Sequence, residues 1–504
     1  MRRIDNVPFF VILVGIGALA MYVPAIHAVS VRNHFVARAF FYSGTLFLML
    51  AILLAIATAA NKPRQVARNQ LLTLLASFTI LPIMLAVPVA ESVPDTRFFN
   101  AWWEMLSSFT TTGASLFEPS RLSPSVHLWR ALVGWMGGLF VLVTSVAILA
   151  PMNLGGFEVL SGASAGEGAV SGAHTSQTTV PSERLLRYAK TLLPIYAGLT
   201  LALWIGLIIA GDAPLVAASH AMSTLSTSGI SPIGGMSATT SGVGGEAVIF
   251  VFLVFGLSRR LYPSGRTLRS TDRLSDDPEL RMALILVTTV PALLFLRHWV
   301  GALEVDELSD TMAAMRALWG TVFTVLSFLT TTGFESVDWA EARTWSGLAT
   351  PGLILTGLAM MGGGVATTAG GVKLLRVYAL YRHGEREIER LVHPSSIGGA
   401  GAQARRLRRQ GAQIAWIFFM LFALSIAVTM MALSITGLGF EASTTFAVAS
   451  LSTTGPLAAV ATETPLFWAD LDTAARVITA AAMVLGRLET LAIIALLNPD
   501  FWRA

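Results

Sequence analysis

The sequence predicts an all-α, polytopic membrane protein built from four similar units. Of its 504 residues, 54% are hydrophobic and only 13% are charged, and the mean hydropathy is +0.67. Soluble domains carry about 25% charged residues, so this composition favours a chain that crosses a bilayer many times. The chain has no cysteine, which excludes disulfides and thiolate metal sites. The net charge of +4 is small and reflects membrane orientation, so it does not indicate nucleic-acid binding.

Three hydroxyl residues followed by glycine occur four times, at roughly regular intervals. The copies are Thr110–Gly113, Ser226–Gly229, Thr330–Gly333 and Ser452–Gly455. Each follows an apolar run that we interpret as a half-helix, because about 12 helical residues rise about 18 Å, against a hydrocarbon core of about 30 Å. Irregular backbone at that depth is tolerated only where it lines a wet cavity or is buried in protein. The repeat therefore predicts four re-entrant loops that face an internal pathway.

The composition of these loops indicates their ligand. Glycine permits dihedrals that turn carbonyl groups toward a common axis, and Ser and Thr add oxygens without charge. Rings of neutral oxygens replace the hydration shell of a monovalent cation, whereas a calcium or magnesium site would bring carboxylates. The alternative is that these small residues only let helices pack closely. The predicted cation-binding residues are Thr111, Thr112, Gly113, Thr227, Ser228, Gly229, Thr331, Thr332, Gly333, Thr453, Thr454 and Gly455.

Taken in order, the chain divides into an extra N-terminal helix pair and four units. The predicted boundaries are 1–67 for the pair and 68–152, 153–258, 259–382 and 383–504 for the units. Ten spanning helices are predicted near 7–28, 37–60, 71–89, 127–150, 192–210, 246–257, 282–300, 346–381, 414–435 and 473–497. The half-helices are predicted at 98–109, 214–225, 312–329 and 441–451. Each unit thus has the order helix, half-helix, loop, helix.

The distribution of charge predicts the orientation. Arginine-rich connections at 258–281 and 373–409 fall on the same side as both termini, which the positive-inside rule makes cytosolic. The stretch 155–181, rich in Gly, Ser and Thr, falls on that side and is predicted to be a flexible loop. The other side is more acidic, and an acidic vestibule concentrates cations, although polar loops alone would also account for it. Glu335 and Glu118 are the carboxylates closest to the repeated loops in sequence.

A glycine-rich segment interrupts the predicted helix at 346–381. Each glycine costs a helix roughly 1 kcal/mol relative to alanine, so a break is expected there. In a membrane such a break lines a cavity or marks a close helix contact, and both interpretations stay open. Lys373 stands before Leu374 and not in a Gly-Lys-Ser/Thr sequence, which excludes a phosphate-binding loop. The glycines of this segment are Gly362, Gly363, Gly364, Gly370 and Gly371.

Arg487 is a charge at predicted membrane depth. It lies about ten residues before the predicted end of the last helix, and charges at such depth usually face a cavity or a partner. The alternative is a side chain that reaches back to the membrane surface. Glu489 is two residues further along and points to another helical face, so it is not an obvious partner.

Over about 68–500 the four units resemble the Trk/Ktr/HKT superfamily of cation transporters, and the extra helix pair resembles its Trk branch. Three further motifs match: Gly134-Trp135-Met136-Gly137-Gly138, Gly486-Arg487-Leu488-Glu489 and the ending Asn498-Pro499-Asp500-Phe501-Trp502-Arg503. The resemblance implies a single-chain pseudo-tetramer whose four loop glycines form a potassium filter. Gly113 stands where some HKT members have serine, which favours potassium over sodium.

The resemblance also implies a gate. The segment Gly362–Gly371 corresponds to the family's intramembrane gate loop beneath the filter, although Val365 and Ala366 depart from the usual pattern. Arg487 corresponds to a pore-lining arginine, whose positive charge would oppose cation passage until the gate loop shifts.

The function implied is potassium uptake across the bacterial inner membrane, without enzymatic chemistry and with K⁺ as the transported ion. The resemblance further implies a homodimer in the lipid membrane that binds a cytosolic nucleotide-binding regulatory ring, which alone would carry nucleotide. The arginine-rich connections are the candidate contacts. Whether uptake is channel-like or a proton- or sodium-coupled symport stays open.

Two other classes of function were considered. A secondary transporter for sodium or a small organic solute would also use broken helices, but usually in inverted repeats, and here the repeats run in the same sense. An intramembrane enzyme is disfavoured because the sequence has no HExxH motif.

Overall fold

The computed structural model describes residues 8–58, 66–150, 156, 181–262, 274, 277–302, 311–346, 351–393 and 411–488. These residues are helical or irregular, and none of them lies in a β-strand. Several predictions concern residues outside these ranges. They include most of the loop at 155–181, the acidic residues at 304–310, much of both arginine-rich connections, Glu489 and the motif at 498–503.

The helices follow the order expected from the sequence. The first seven are Phe9–Ala20, Tyr22–Ser30, His34–Thr58, Val66–Thr79, Leu81–Ser92, Phe98–Phe109 and Pro124–Thr144. The next seven are Pro181–Ala210, Pro214–Ser226, Gly242–Leu253, Pro278–Ala302, Thr311–Leu329, Trp339–Ser346 and Gly352–Met361. The last five are Leu374–Val392, Ala412–Ile435, Phe440–Leu451, Leu457–Val460 and Thr473–Leu488. Short 3₁₀ or π turns lie at 119–121, 145–149, 254–256, 259–261 and 468–470.

Eight of the described helical stretches are long and apolar enough to cross a membrane. They are Phe9–Ser30, His34–Thr58, Gln70–Ser92, Pro124–Leu149, Arg184–Ala210, Pro278–Arg297, Met312–Leu329 and Ala412–Ile435. Seven of them coincide with predicted spans, which makes this a multi-pass membrane protein. The count of ten spans stays a prediction, because the helices at Gly242–Gly256 and Gly352–Met361 are shorter and the last is described only to Leu488.

The bounds predicted for the four half-helices are confirmed to within one residue, but the third helix is longer than a half-helix. Phe98–Phe109, Pro214–Ser226 and Phe440–Leu451 match the predicted runs and have 12 or 13 residues. The third, Thr311–Leu329, has 19 residues and is long enough by itself to span the hydrocarbon core. The first turns of this helix carry exposed side chains such as Met312 and Met315. Its second half, which leads into the loop, is buried.

Glycines on the helices that follow two of the loops allow close packing against the half-helices. A Cβ built on Gly137 would lie 2.0 Å from the carbonyl oxygen of Phe109, the last residue of the first half-helix. A Cβ on Gly486 would lie 2.2 Å from the carbonyl oxygen of Leu451, the last residue of the fourth. Small residues allow helix backbones to approach in this way in membranes. The half-helices are therefore held at their C-terminal ends, where the repeated loops begin.

Candidate functional site

The four half-helices end in the same backbone turn. The second hydroxyl residue of each loop has a left-handed conformation, with φ of 54° at Thr111, 51° at Thr227, 58° at Thr331 and 55° at Thr453. The next N–H group donates to the carbonyl five residues earlier at 2.8–2.9 Å in every loop. This is the bond pattern of a Schellman helix end, which usually has glycine at the left-handed position. A β-branched residue there is strained, and such strain persists where the surroundings fix it, often at functional sites.

The first and third hydroxyl groups of each loop bond to each other. Their oxygen–oxygen distances are 2.9 Å for Thr110–Thr112, 3.0 Å for Ser226–Ser228, 3.1 Å for Thr330–Thr332 and 3.2 Å for Ser452–Thr454. We call this contact the hydroxyl pair. The sequence suggested that hydroxyl oxygens themselves form the rings. The structure instead engages two of the three hydroxyls in closing the loop.

Each loop contacts the next one in chain order, and the fourth contacts the first. A Cβ built on Gly113 would lie 1.7 Å from the Ser228 carbonyl oxygen, and one on Gly229 would lie 2.2 Å from that of Thr332. A Cβ on Gly333 would lie 3.1 Å from Pro456. The Gly455 N–H closes the circle by donating to the Thr112 carbonyl at 2.6 Å. At Gly113, Gly229 and Gly455 neighbouring backbone occupies the space that a side chain would need, and at Gly333 the Pro456 ring lies close to that space.

Two buried carboxylates support the segments that follow the first and third loops. Glu104, within the first half-helix, pairs with Arg130 at 2.7 Å and accepts a bond from the Leu116 N–H at 2.9 Å. Glu246 accepts bonds from the Trp319 indole and the Ser336 hydroxyl, both at 2.8 Å, and from the Val337 N–H at 2.5 Å. Sequence reasoning missed both residues. A carboxylate inside an apolar run is the sequence feature that could have identified them, because a charge at membrane depth is costly unless it has partners.

The two carboxylates that the sequence analysis singled out near the loops differ in burial. Glu335, two residues after Gly333, is half-buried, and burial raises the pKa of its carboxyl group, with nearby Arg343 opposing the shift. Glu118 is exposed. Only Glu335 is therefore partly enclosed beside a loop.

The glycine-rich segment, residues 362–373, is irregular backbone between the helices Gly352–Met361 and Leu374–Val392. It is buried along nearly its whole length and contacts three of the repeated elements. The Gly370 N–H donates to the Thr331 hydroxyl at 2.8 Å, and the Thr368 hydroxyl donates to the Leu225 carbonyl at 3.1 Å. A Cβ on Gly370 would lie 2.1 Å from the Ser452 carbonyl oxygen. The segment thus lies directly against the bases of the second, third and fourth loops.

The same segment is held on another side by the region around Gly256 and Glu279. The N–H of Gly364 and the hydroxyl of Thr367 donate to the Gly256 carbonyl at 3.0 and 3.1 Å. The buried carboxylate of Glu279 accepts a bond from the Val365 N–H at 2.7 Å. Glu279 was not singled out from the sequence, because the partner is 86 residues away along the chain. Through it the segment is connected to the start of the helix Pro278–Ala302, next to the first arginine-rich connection.

Arg487 joins the first loop to the glycine-rich segment. Its Nε donates to the Thr110 carbonyl at 2.5 Å and its Nη1 donates to the Thr368 carbonyl at 2.6 Å. The residue is 8% exposed, and among the described residues no carboxylate forms an ion pair with it and nothing bonds to its Nη2. The side chain therefore does not reach back to the membrane surface. Its positive charge lies at the point where loop and segment meet, with carbonyl oxygens as its partners among the described residues.

Comparison with known proteins agrees with this architecture. The family model described as TrkH, a cation transport protein, matches residues 280–501. The Trk system potassium uptake protein TrkH of Salmonella typhimurium is 31% identical over 443 residues, covering 86% of this chain and 84% of that protein. TrkH of Halomonas elongata is 28% identical over 503 residues, covering 98% and 91% of the two chains. The crystal structure of the potassium transporter TrkH from Vibrio parahaemolyticus superposes over 100% of both chains with a TM-score of 0.81 and 24% identity, and so shares the fold. The chain described here therefore belongs to the TrkH family of cation transport proteins.

Proposed function

We propose that this protein takes up potassium across the bacterial inner membrane through a filter formed by its four hydroxyl-glycine loops. The observation that carries the proposal is the fourfold recurrence of one strained turn, closed by one hydroxyl pair, in loops that contact each other in a circle. Relatives over most of the chain are named potassium uptake proteins, which supports the choice of ion. The four units would form a pseudo-tetramer, with ten spans and both termini in the cytosol.

The proposed filter binds K⁺ through backbone carbonyls rather than hydroxyl groups. The hydroxyl pairs engage the side chains of the first and third positions, so the carbonyls of the left-handed threonine, the following residue and the glycine are the remaining candidates. Carbonyl rings replace the hydration shell of the ion. The half-helices bring their C-terminal ends to the same region, and each end carries about −0.5 of an elementary charge. Those ends would stabilise a cation just below the filter.

The proposed gate is the glycine-rich segment together with Arg487. The segment lies against the bases of the second, third and fourth loops, and Arg487 connects it to the first loop through the Thr110 carbonyl. The guanidinium would therefore occupy the same carbonyl-rich region that attracts a permeating cation. An opening movement of the segment would break the bond from Arg487 to Thr368 and let the charge move aside. Cation passage would then depend on whether this hydrogen bond is formed or broken.

The remaining parts of the proposal concern assembly. We expect a homodimer that binds a cytosolic nucleotide-binding ring through the arginine-rich connections. Much of the described part of the second connection is the helix Leu374–Val392, in which Arg382, Arg386 and Arg390 pair with glutamates three residues away at 2.5–3.0 Å. Arg382 and Arg390 are exposed. Exposed pairs of this kind contribute little to stability, so their charges are available for a partner. The hydrogen bond between Val365 and Glu279 would transmit a movement of the first arginine-rich connection to the gate.

Uptake of radioactive rubidium by liposomes containing the purified protein tests the proposal. Vesicles loaded with potassium should accumulate rubidium, and external potassium should compete far better than sodium or organic solutes. Rubidium uptake no greater than in empty liposomes, or equal competition by sodium, would contradict it. Reversal potentials measured with and without a proton gradient, and with and without a sodium gradient, distinguish a channel from a symporter.

A further inference from the structure

The fourth loop departs from the other three directly after its hydroxyl residues. The glycines of the first three loops have φ of 73°, 66° and 82°, whereas Gly455 does not adopt a positive φ. Pro456 follows it, and proline pushes the preceding residue toward extended backbone. The first three loops continue as irregular chain, but the fourth turns at once into the short helix Leu457–Val460.

This turn engages the carbonyl groups of Thr454 and Gly455. The Leu457 N–H donates to the Thr454 carbonyl at 3.1 Å. The Gly455 carbonyl accepts a bond from the indole Nε1–H of Trp468 at 3.0 Å and a longer one from the Ala458 N–H at 3.3 Å. Within the described residues, no hydrogen bond reaches the glycine carbonyls of the other three loops. The four glycine carbonyls are therefore not equivalent.

Trp468 is held firmly in the position from which it makes this bond. It is 5% exposed, and its ring lies between Trp103 of the first half-helix and Phe446 of the fourth, with centroid distances of 5.6 and 4.8 Å. Such aromatic contacts fix the ring plane and with it the direction of the N–H group. The indole therefore donates from a rigid position to the backbone of the loop.

We propose that Trp468 is a positioning residue that tunes cation selectivity by fixing the direction of the Gly455 carbonyl. This inference rests on the proposed filter. At the glycine level the ion would meet three unbonded carbonyls and one that shares its lone pairs with the indole. Selectivity depends on the number and strength of the carbonyl dipoles around the ion. Without the indole bond, the Gly455 carbonyl turns toward the axis more freely and its full dipole favours the smaller sodium ion.

The experiment compares Trp468→Phe with Trp129→Phe in the full-length protein in liposomes. Both replacements remove a buried indole donor and keep a ring, but the Trp129 indole donates to the Leu85 carbonyl at 3.1 Å, and its ring contacts Phe40 and not Trp468. Potassium-to-sodium permeability ratios come from reversal potentials under opposed potassium and sodium gradients. Trp468→Phe should lower the ratio about fivefold, as expected for one hydrogen bond, and Trp129→Phe should leave it unchanged. A ratio within twofold of wild type in Trp468→Phe, or an equal fall in both variants, overturns the inference.

A second variant keeps the test decisive if Trp468→Phe does not fold. Replacing the indole at Trp468 by benzothiophene keeps the ring shape and removes only the N–H group, so the ratio should fall to the same extent. An unchanged ratio in that variant also overturns the inference. A different result refutes the proposed filter itself, namely wild-type protein that does not discriminate potassium from sodium. A selective wild type with an unaltered Trp468 variant refutes only the role of the tryptophan.

Discussion

Two stretches of irregular backbone are buried in this molecule, and they are held in opposite ways. Each hydroxyl-glycine loop is closed from within, by a backbone bond across its helix end and by its own hydroxyl pair. The glycine-rich segment 362–373 is held largely from outside, by groups that belong to other elements. These groups are Gly256, Glu279, Leu225, Thr331 and Arg487.

This difference supports the different roles that we propose for the loops and the segment. A loop that closes on itself keeps its geometry when neighbouring helices move, which suits a filter whose carbonyl positions must not change. A segment held by neighbours moves when one of those contacts is released, which suits a gate. Both rely on glycine for the same reason, because at Gly113 and at Gly370 a neighbouring backbone carbonyl leaves no room for a Cβ.

Removing the charge of Arg487 should have the largest effect. A unit charge about 4 Å from a passing ion, at an effective dielectric constant of about 20, costs about 4 kcal/mol. Relief of even a third of this raises a rate about tenfold, so Arg487→Ala should increase potassium flux per folded molecule by at least that factor. Arg487→Lys should retain part of the barrier, because it keeps the charge but not the planar fork that joins two carbonyls. Flux is normalised to purified, reconstituted protein.

Arg476→Ala is the matched control, since Arg476 lies on the same helix and its side chain bonds to Asn100 and Ala469, away from the segment. Its flux should equal that of wild type. If Arg487→Ala conducts no better than this control, Arg487 is a packing residue and the segment is not held by a charge.

Gly113→Ser should have the next largest effect, on selectivity instead of flux. The new Cβ would lie 1.7 Å from the Ser228 carbonyl oxygen, so the neighbouring loop must shift. Residues other than glycine also pay about 1–2 kcal/mol at left-handed φ, and we expect the potassium-to-sodium permeability ratio to fall about five- to tenfold. Gly211→Ser controls for backbone strain alone, because Gly211 has φ of 109° and open space around it. An unchanged ratio in Gly113→Ser would mean that the loops do not form the filter.

Glu279 tests whether the segment is held from outside. Glu279→Ala removes the acceptor of the Val365 N–H, whereas Glu279→Gln keeps a carbonyl oxygen there. One hydrogen bond contributes about 0.5–1.5 kcal/mol, so Ala should raise basal flux about threefold and Gln should stay close to wild type. Equal flux in wild type and Glu279→Ala would show that this contact does not restrain the segment. An equal rise in both variants would assign the restraint to charge and not to the hydrogen bond.

The sequence predicted the elements of this site better than their contacts. The half-helix Phe98–Phe109 was predicted with the same bounds, because an apolar run of that length before a hydroxyl-glycine loop has few other interpretations. The helix break at 362–373 followed from glycine content. The groups that hold these parts, such as Glu104, Glu246 and Trp468, could not be assigned, because each acts on backbone that only the tertiary fold brings close.

The hydroxyl residues also show that the sequence predicts positions better than it predicts contacts. The sequence predicted these positions to bind the cation, which stays a prediction, and it did not show which of their hydroxyl groups close the loop. Local geometry decides this, since a left-handed middle residue brings the first and third hydroxyls within hydrogen-bonding distance. The bounds of Thr311–Leu329 did follow from the apolar pattern, but the run was interpreted as a half-helix although its 19 residues are enough to span the hydrocarbon core.

The hydroxyl pair itself provides the last and smallest test. If Thr332 serves to close the third loop through Thr330, the two side chains should be energetically coupled. A double-mutant cycle with Thr330→Val and Thr332→Val should give a coupling free energy of unfolding of about 1 kcal/mol. The permeability ratio should change less than twofold in each variant, because the carbonyls remain. The rival interpretation makes the Thr332 hydroxyl a ligand of the ion, and it predicts the opposite pattern. Thr332→Val would then lower the ratio as strongly in the Thr330→Val background as alone, with no coupling in stability. Thermal unfolding and reversal potentials measured on the same four proteins separate the two, because a structural pair affects the first and an ion ligand affects the second.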